Sequence, residues 1–138
     1  MINQYLQENP SAEEGILLKE APSSREFDLE ARTLEFAKLT RELVRQIEKN
    51  IQNIEDAKQL IRSSGSVGAN YIEANDALGK KDFFLKIKTC RREAKESRFW
   101  LKLLDVKNPA LEVLRDDLVQ EVSELILIFS AIAKKQML

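Results

Sequence analysis

Apolar and small side chains recur along this chain at alternating steps of four and three residues, in four separate blocks. The first runs through Leu29, Thr33, Phe36, Thr40, Leu43 and Ile47. The second takes Ala57, Leu60, Ser64, Val67, Tyr71, Ala74 and Leu78. The third takes Phe83, Ile87, Cys90, Ala94, Ser97, Leu101 and Leu104, and the fourth Leu111, Leu114, Leu118, Val122, Leu125, Phe129 and Ile132. That spacing puts each set on one face of an α-helix. No segment alternates as a strand would. Four amphipathic helices with short links pack most simply as an antiparallel, up-and-down four-helix bundle, an all-α fold.

Punctuation residues predict the helix ends. Asp28 suits an N-cap, with Glu30 behind it in the first turn, and the first helix is expected to end near Asn50. Asn53 is the candidate cap of the second helix, and Gly79 its closing C′ residue. The third helix is expected from about Lys81 to Leu104. Asn108 followed by Pro109 marks the start of the fourth. Residues 1–27 are interrupted by Pro10, Gly15, Pro22 and Ser23-Ser24 and read as an N-terminal arm, with room for a helical turn over Ala12–Glu20. Residues 28–138 form the bundle domain.

The run Arg62-Ser63-Ser64-Gly65-Ser66-Val67-Gly68-Ala69-Asn70 favours a loop by propensity. The four-and-three period continues through it on both sides, so it is read as helix. Small side chains at Ser64, Gly65, Gly68 and Ala69 then allow another helix to approach closely. The run lacks the Gly-Lys-Ser/Thr ending of a phosphate-binding loop, and Gly65-Ser66-Val67-Gly68 has no sheet around it to make a KH-type clamp.

The chain has 138 residues, one cysteine, no histidine and a net charge of −1. Without histidine, the paired Glu and Glu-x-x-His pattern of a dimetal bundle cannot be built, and Cys90 lacks a base to activate it. No enzyme, metal or cofactor is expected. Arg62, Glu73 and Glu93 are read as structural ion-pairing residues, Glu73 facing Arg91 or Arg92 on the third helix. No apolar run is long enough for a membrane span, and the first residues lack a signal-peptide layout, so a cytoplasmic, reducing setting is expected.

Charge is unevenly distributed. Residues 1–28 carry six carboxylates against Lys19 and Arg25, a net of −4, whereas residues 80–102 carry nine Lys/Arg against three acids, a net of +6. Lys81, Lys88, Arg91, Lys95, Arg98 and Lys102 share one helical face, one position round from the core seam, with Arg92 and Lys86 flanking it. A cationic ridge of this kind suits phosphate backbones and does not by itself imply sequence specificity. Phe99 and Trp100 fall off the main seam and are read as an oligomer contact.

Three separated motifs resemble one family in order and spacing. They are Phe27-Asp28-Leu29-Glu30 with Arg32-Thr33 and Phe36-Ala37; Leu60 to Asn75; and Lys80-Lys81-Asp82-Phe83 with Cys90 to Ser97 and Trp100-Leu101. Together, over about residues 27–135, they resemble the four-helix bundle proteins encoded in bacterial 23S rRNA intervening sequences. The resemblance implies a ring-like homo-oligomer, a pentamer. It also implies kinship with the accessory protein of diversity-generating retroelements, a basic pentamer that binds nucleic acid and a reverse transcriptase. This chain is slightly acidic where that relative is basic. Two functions follow as expectations: binding of structured RNA or DNA through the third helix, or scaffolding of a protein partner on the same face.

Overall fold

The computed structural model describes residues 22–137, with side chains from Leu29 onward. Four helices, α1 (Pro22–Gln46), α2 (Ile51–Asn75), α3 (Lys80–Leu103) and α4 (Pro109–Lys134), are followed by a short 3₁₀ turn, Lys135–Met137. Each helix packs on its neighbour in sequence, and α1 closes the ring of contacts against α4. This is the up-and-down bundle. Among the described residues there is no strand, and no helix is long and apolar enough to cross a membrane.

The core is built from the four seams. Leu29, Phe36, Leu43, Leu60, Val67, Ile87, Cys90, Leu101, Leu118, Leu125 and Phe129 are buried in one cluster. Full burial of a large apolar side chain stabilises by about 1.5–3 kcal/mol. Tyr71 and Phe129 meet with ring centroids 6.1 Å apart. The serine- and glycine-rich centre lies inside α2 without interruption. Its small side chains allow a close approach: the Ser97 hydroxyl donates to the Ser63 hydroxyl at 2.8 Å between α3 and α2, and larger side chains would hold the two helices further apart.

The helix ends differ from expectation in four places. Asp28 lies inside α1, which already includes Pro22. Proline fits a first helical turn because its missing N–H has no intrahelical partner there. Residues 22–27 of the expected arm are therefore helical, and residues 1–21 lie outside the described residues. Second, α1 ends at Gln46, and the cap of α2 is Asn50, whose side chain accepts from the Asn53 backbone N–H at 2.8 Å. Third, Asn53 is buried one turn inside α2 and serves another purpose. Its Nδ2 donates to the carbonyls of Glu48 at 3.0 Å and Asp105 at 2.9 Å, while its Oδ1 accepts from the Asp105 N–H at 2.9 Å. One amide thus clasps the 47–50 and 104–108 connections together. Fourth, Asp76 caps α2, and Gly79 is the extended N-cap of α3, with φ −159°. Leu78, expected on the α2 seam, is fully exposed in that connection because the helix stops before reaching it. Asn108 and Pro109 start α4 as expected, the Asn108 Oδ1 accepting from Ala110 and Leu111.

Candidate nucleic-acid interface on α3

Five of the six cations of the α3 face follow a buried residue by one position: Lys88 after Ile87, Arg91 after Cys90, Lys95 after Ala94, Arg98 after Ser97, Lys102 after Leu101. Burying the seam therefore fixes where the charges point. Lys81, Lys88, Lys95 and Lys102 recur every seven residues, so they stand about 10 Å apart in a nearly straight row of about 31 Å. All four are exposed, while Arg91 and Arg98 are half-buried beside them and Arg92 is exposed on the next azimuth.

The two flanks of α3 are wired differently. Toward α2, Lys86 pairs with Glu73 at 3.2 Å, and Arg62 reaches Glu93 at 3.4 Å and Glu96 at 3.6 Å. Glu73 therefore meets Lys86 and not Arg91 or Arg92. Toward α4, Arg98 donates to the Ser123 hydroxyl at 3.2 Å. Among the described residues no ion pair joins α3 to α4, and none involves Lys81, Lys88, Arg91, Arg92, Lys95, Arg98 or Lys102. Glu93 and Glu96 thus serve the α2 seam, and the remaining cations keep their charge available to solvent.

Phe99 and Trp100 stack edge to face, centroids 5.1 Å apart. Trp100 leans on the core, whereas Phe99 is 56% exposed. The small residues of α2 divide by role. Gly68 lies hard against α1, where an added Cβ would sit 2.8 Å from Thr33 Oγ1 and 3.1 Å from its Cβ. At Gly65 the same atom would meet only the tip of Arg41, at 3.3 Å. Ser64 is buried, its hydroxyl 3.3 Å from the Ile61 carbonyl. Ala69 is exposed.

Reactive chemistry is suppressed in the core. Burial pushes the Cys90 thiol up to about 12, so it stays protonated and slow to react. Burial first, and then contact with Glu96, raises the Glu93 carboxyl, with Arg62 and Arg92 pulling it down. Among the described residues no cluster of three His, Cys, Asp or Glu could hold a metal.

One polar constellation is absent from the sequence reading. Arg32 and Glu121, both buried, join α1 to α4, and Glu124 adds a contact to Arg32 at 3.1 Å. The available signal was positional: each precedes a seam residue, Thr33 or Val122, and so borders the core.

The family model for 23S rRNA-intervening sequence proteins matches residues 25–131. A solved structure of a protein of unknown function from the S23 ribosomal protein family of Bacteroides thetaiotaomicron VPI-5482 superposes with a TM-score of 0.69 at 26% identity. The match covers 79% of this chain and 97% of that one. No curated protein matches.

Proposed function

The chain belongs to the family of 23S rRNA-intervening sequence proteins, and from that premise we propose that it is a non-enzymatic, ring-forming bundle that binds structured nucleic acid through α3. The observation that carries the reading is the seven-residue row Lys81, Lys88, Lys95 and Lys102, exposed and without ion pairs among the described residues. Phosphates neutralised by such a row release counterions, which favours binding at low salt regardless of base sequence. The homo-oligomer, a pentamer, is supported by the motif resemblance and by the exposed Phe99, which serves as a subunit contact. A ring repeats the row in every subunit, so weak single contacts add through multivalency. The setting is cytoplasmic.

The test is a titration of a structured RNA and a DNA duplex across salt concentrations. The reading requires affinity that falls steeply with salt and is lost in Lys88→Glu/Arg91→Glu/Lys95→Glu. Absence of binding at low salt, or binding that ignores the triple charge reversal, removes it and favours a protein partner on this face. Sedimentation of Phe99→Ala tests the assembly separately: an unchanged particle mass eliminates Phe99 as the contact.

A further inference from the structure

At the end of the bundle where α2 passes into α3, an open cavity of about 730 Å³ lies against the 3₁₀ turn that follows α4. Small-ligand sites occupy about 300–1,000 Å³, so the space suits a nucleotide. Lys80, Lys81 and Lys135 line it, and no described carboxylate does. Asp76 and Asp82, close by in sequence, lie outside the lining. All three lysines are exposed, and none forms an ion pair among the described residues. Phe83 and Phe84 also line the cavity, their ring centroids 5.2 Å apart and their planes at 82°. Phe83 packs on the core and braces Phe84, which is half-buried and outside the core cluster. A cationic hollow beside a braced aromatic ring is the combination that receives an unstacked base together with its phosphate.

Resting on the reading of α3 as a phosphate-binding face, we propose that this cavity takes an unpaired nucleotide at the end of a structured nucleic acid held along that helix. Lys81 belongs to both places: it is the last lysine of the row, and it lines the cavity. A strand whose phosphates follow Lys102, Lys95 and Lys88 therefore arrives at the cavity as it passes Lys81. Paired bases are stacked inside the duplex and cannot enter, whereas an overhanging base can leave the stack. Its phosphate then meets Lys80 and Lys135, its ring lies on Phe84, and the exposed amides of Asn75 and Gln136 reach its edge. Every base has a π-face, so the cavity selects an unpaired end and not a sequence. The lysine row alone contacts backbone charge and cannot make that distinction.

The experiment titrates the full-length chain at low salt with two RNA probes, a blunt duplex and the same duplex carrying a short single-stranded overhang. The proposal requires the overhang to tighten binding about tenfold. Phe84→Leu keeps the apolar bulk but removes the stacking face, and brings the two probes level; Phe84→Tyr keeps the face and retains the difference. Lys135→Ala, beyond the end of α4 and outside the core, shrinks the difference and leaves affinity for the blunt duplex in place. Circular dichroism verifies that each variant retains its helix content. Equal affinity for the two probes in the native chain overturns the cavity assignment and leaves the lysine row standing. A difference that survives either Phe84→Leu or Lys135→Ala also overturns it, because the overhang then lies elsewhere on the surface. If neither probe binds, the reading of α3 falls and the cavity assignment falls with it.

Discussion

Arg32 on α1 and Glu121 on α4 are joined by two hydrogen bonds, Nε to Oε2 at 3.0 Å and Nη2 to Oε1 at 2.6 Å, with both side chains buried. Removing one partner of such a pair leaves the other charge stranded, so Arg32→Ala is expected to cost about 3–5 kcal/mol at pH 8. Chemical denaturation at that pH checks the value. Arg32→Ala combined with Glu121→Gln is expected to recover part of the loss, because the stranded carboxylate is then gone.

The same carboxyl makes stability depend on pH. Burial raises Glu121 from 4.5 to about 7, against the pull of Arg32. Between these values the folded chain binds a proton that the unfolded chain does not. This contribution is fully present below pH 4.5 and is lost as pH rises through 7, with a slope of up to about 1.4 kcal/mol per pH unit. Glu93 is shifted in the same direction, so the measurement is a difference: urea midpoints of the native chain and Glu121→Gln at pH 5 and 7.5. The variant is expected to lose less stability across that interval.

The two glycines in the middle of α2 are expected to respond oppositely to alanine. Alanine gains about 1 kcal/mol of helix propensity at either position. At Gly65 the new methyl displaces only the flexible end of Arg41, so the gain survives. At Gly68 it collides with the Thr33 side chain on α1, and overpacking of about 1–3 kcal/mol outweighs the gain. Thermal melting of the two single variants reads the difference in sign.

Thr40 is completely buried, and its hydroxyl has no hydrogen-bond partner among the described residues. Replacing an unsatisfied buried hydroxyl by a methyl removes its desolvation cost while keeping the side-chain shape. Thr40→Val is expected to raise the unfolding free energy by about 1 kcal/mol. A destabilised variant in denaturant titrations contradicts this account of the site.

Asn53→Ala deletes three hydrogen bonds and leaves the Asp105 N–H and two carbonyls without the partner that spans both connections. A loss of about 2–4 kcal/mol is expected, since each orphaned buried group costs about 1–3 kcal/mol and water reaches the connections in part. Hydrogen exchange should accelerate first at residues 47–50 and 104–108.

The four seams were legible because helix periodicity is a local property, and it persisted through Ser63 to Gly68 despite their poor propensity. The azimuth of the α3 cations was legible for the same reason, being tied to their own helix. Contacts between helices were not. Glu73 meets Lys86 because the 76–79 connection sets the antiparallel register of α2 on α3, and no property of either helix alone specifies that offset. Asn53 was misassigned because a cap and a buried clasp use the same side chain, and the deciding partner, Asp105, lies 52 residues away. The α1–α4 pair of Arg32 and Glu121 escaped notice because charged residues beside a seam are usually solvated, and burial depends on how closely the first and last helices meet.

Because the lysine row and the core seam of α3 advance by the same seven-residue step, charge and packing share one phase. Inserting or deleting a single residue between Lys88 and Lys95 would swing both through about 100°, and the chain would lose its interior together with its outer row. Individual lysines, by contrast, can be exchanged without disturbing what lies beneath them. Mutation can therefore readily tune how strongly this surface attracts anions, while its direction is inherited with the fold.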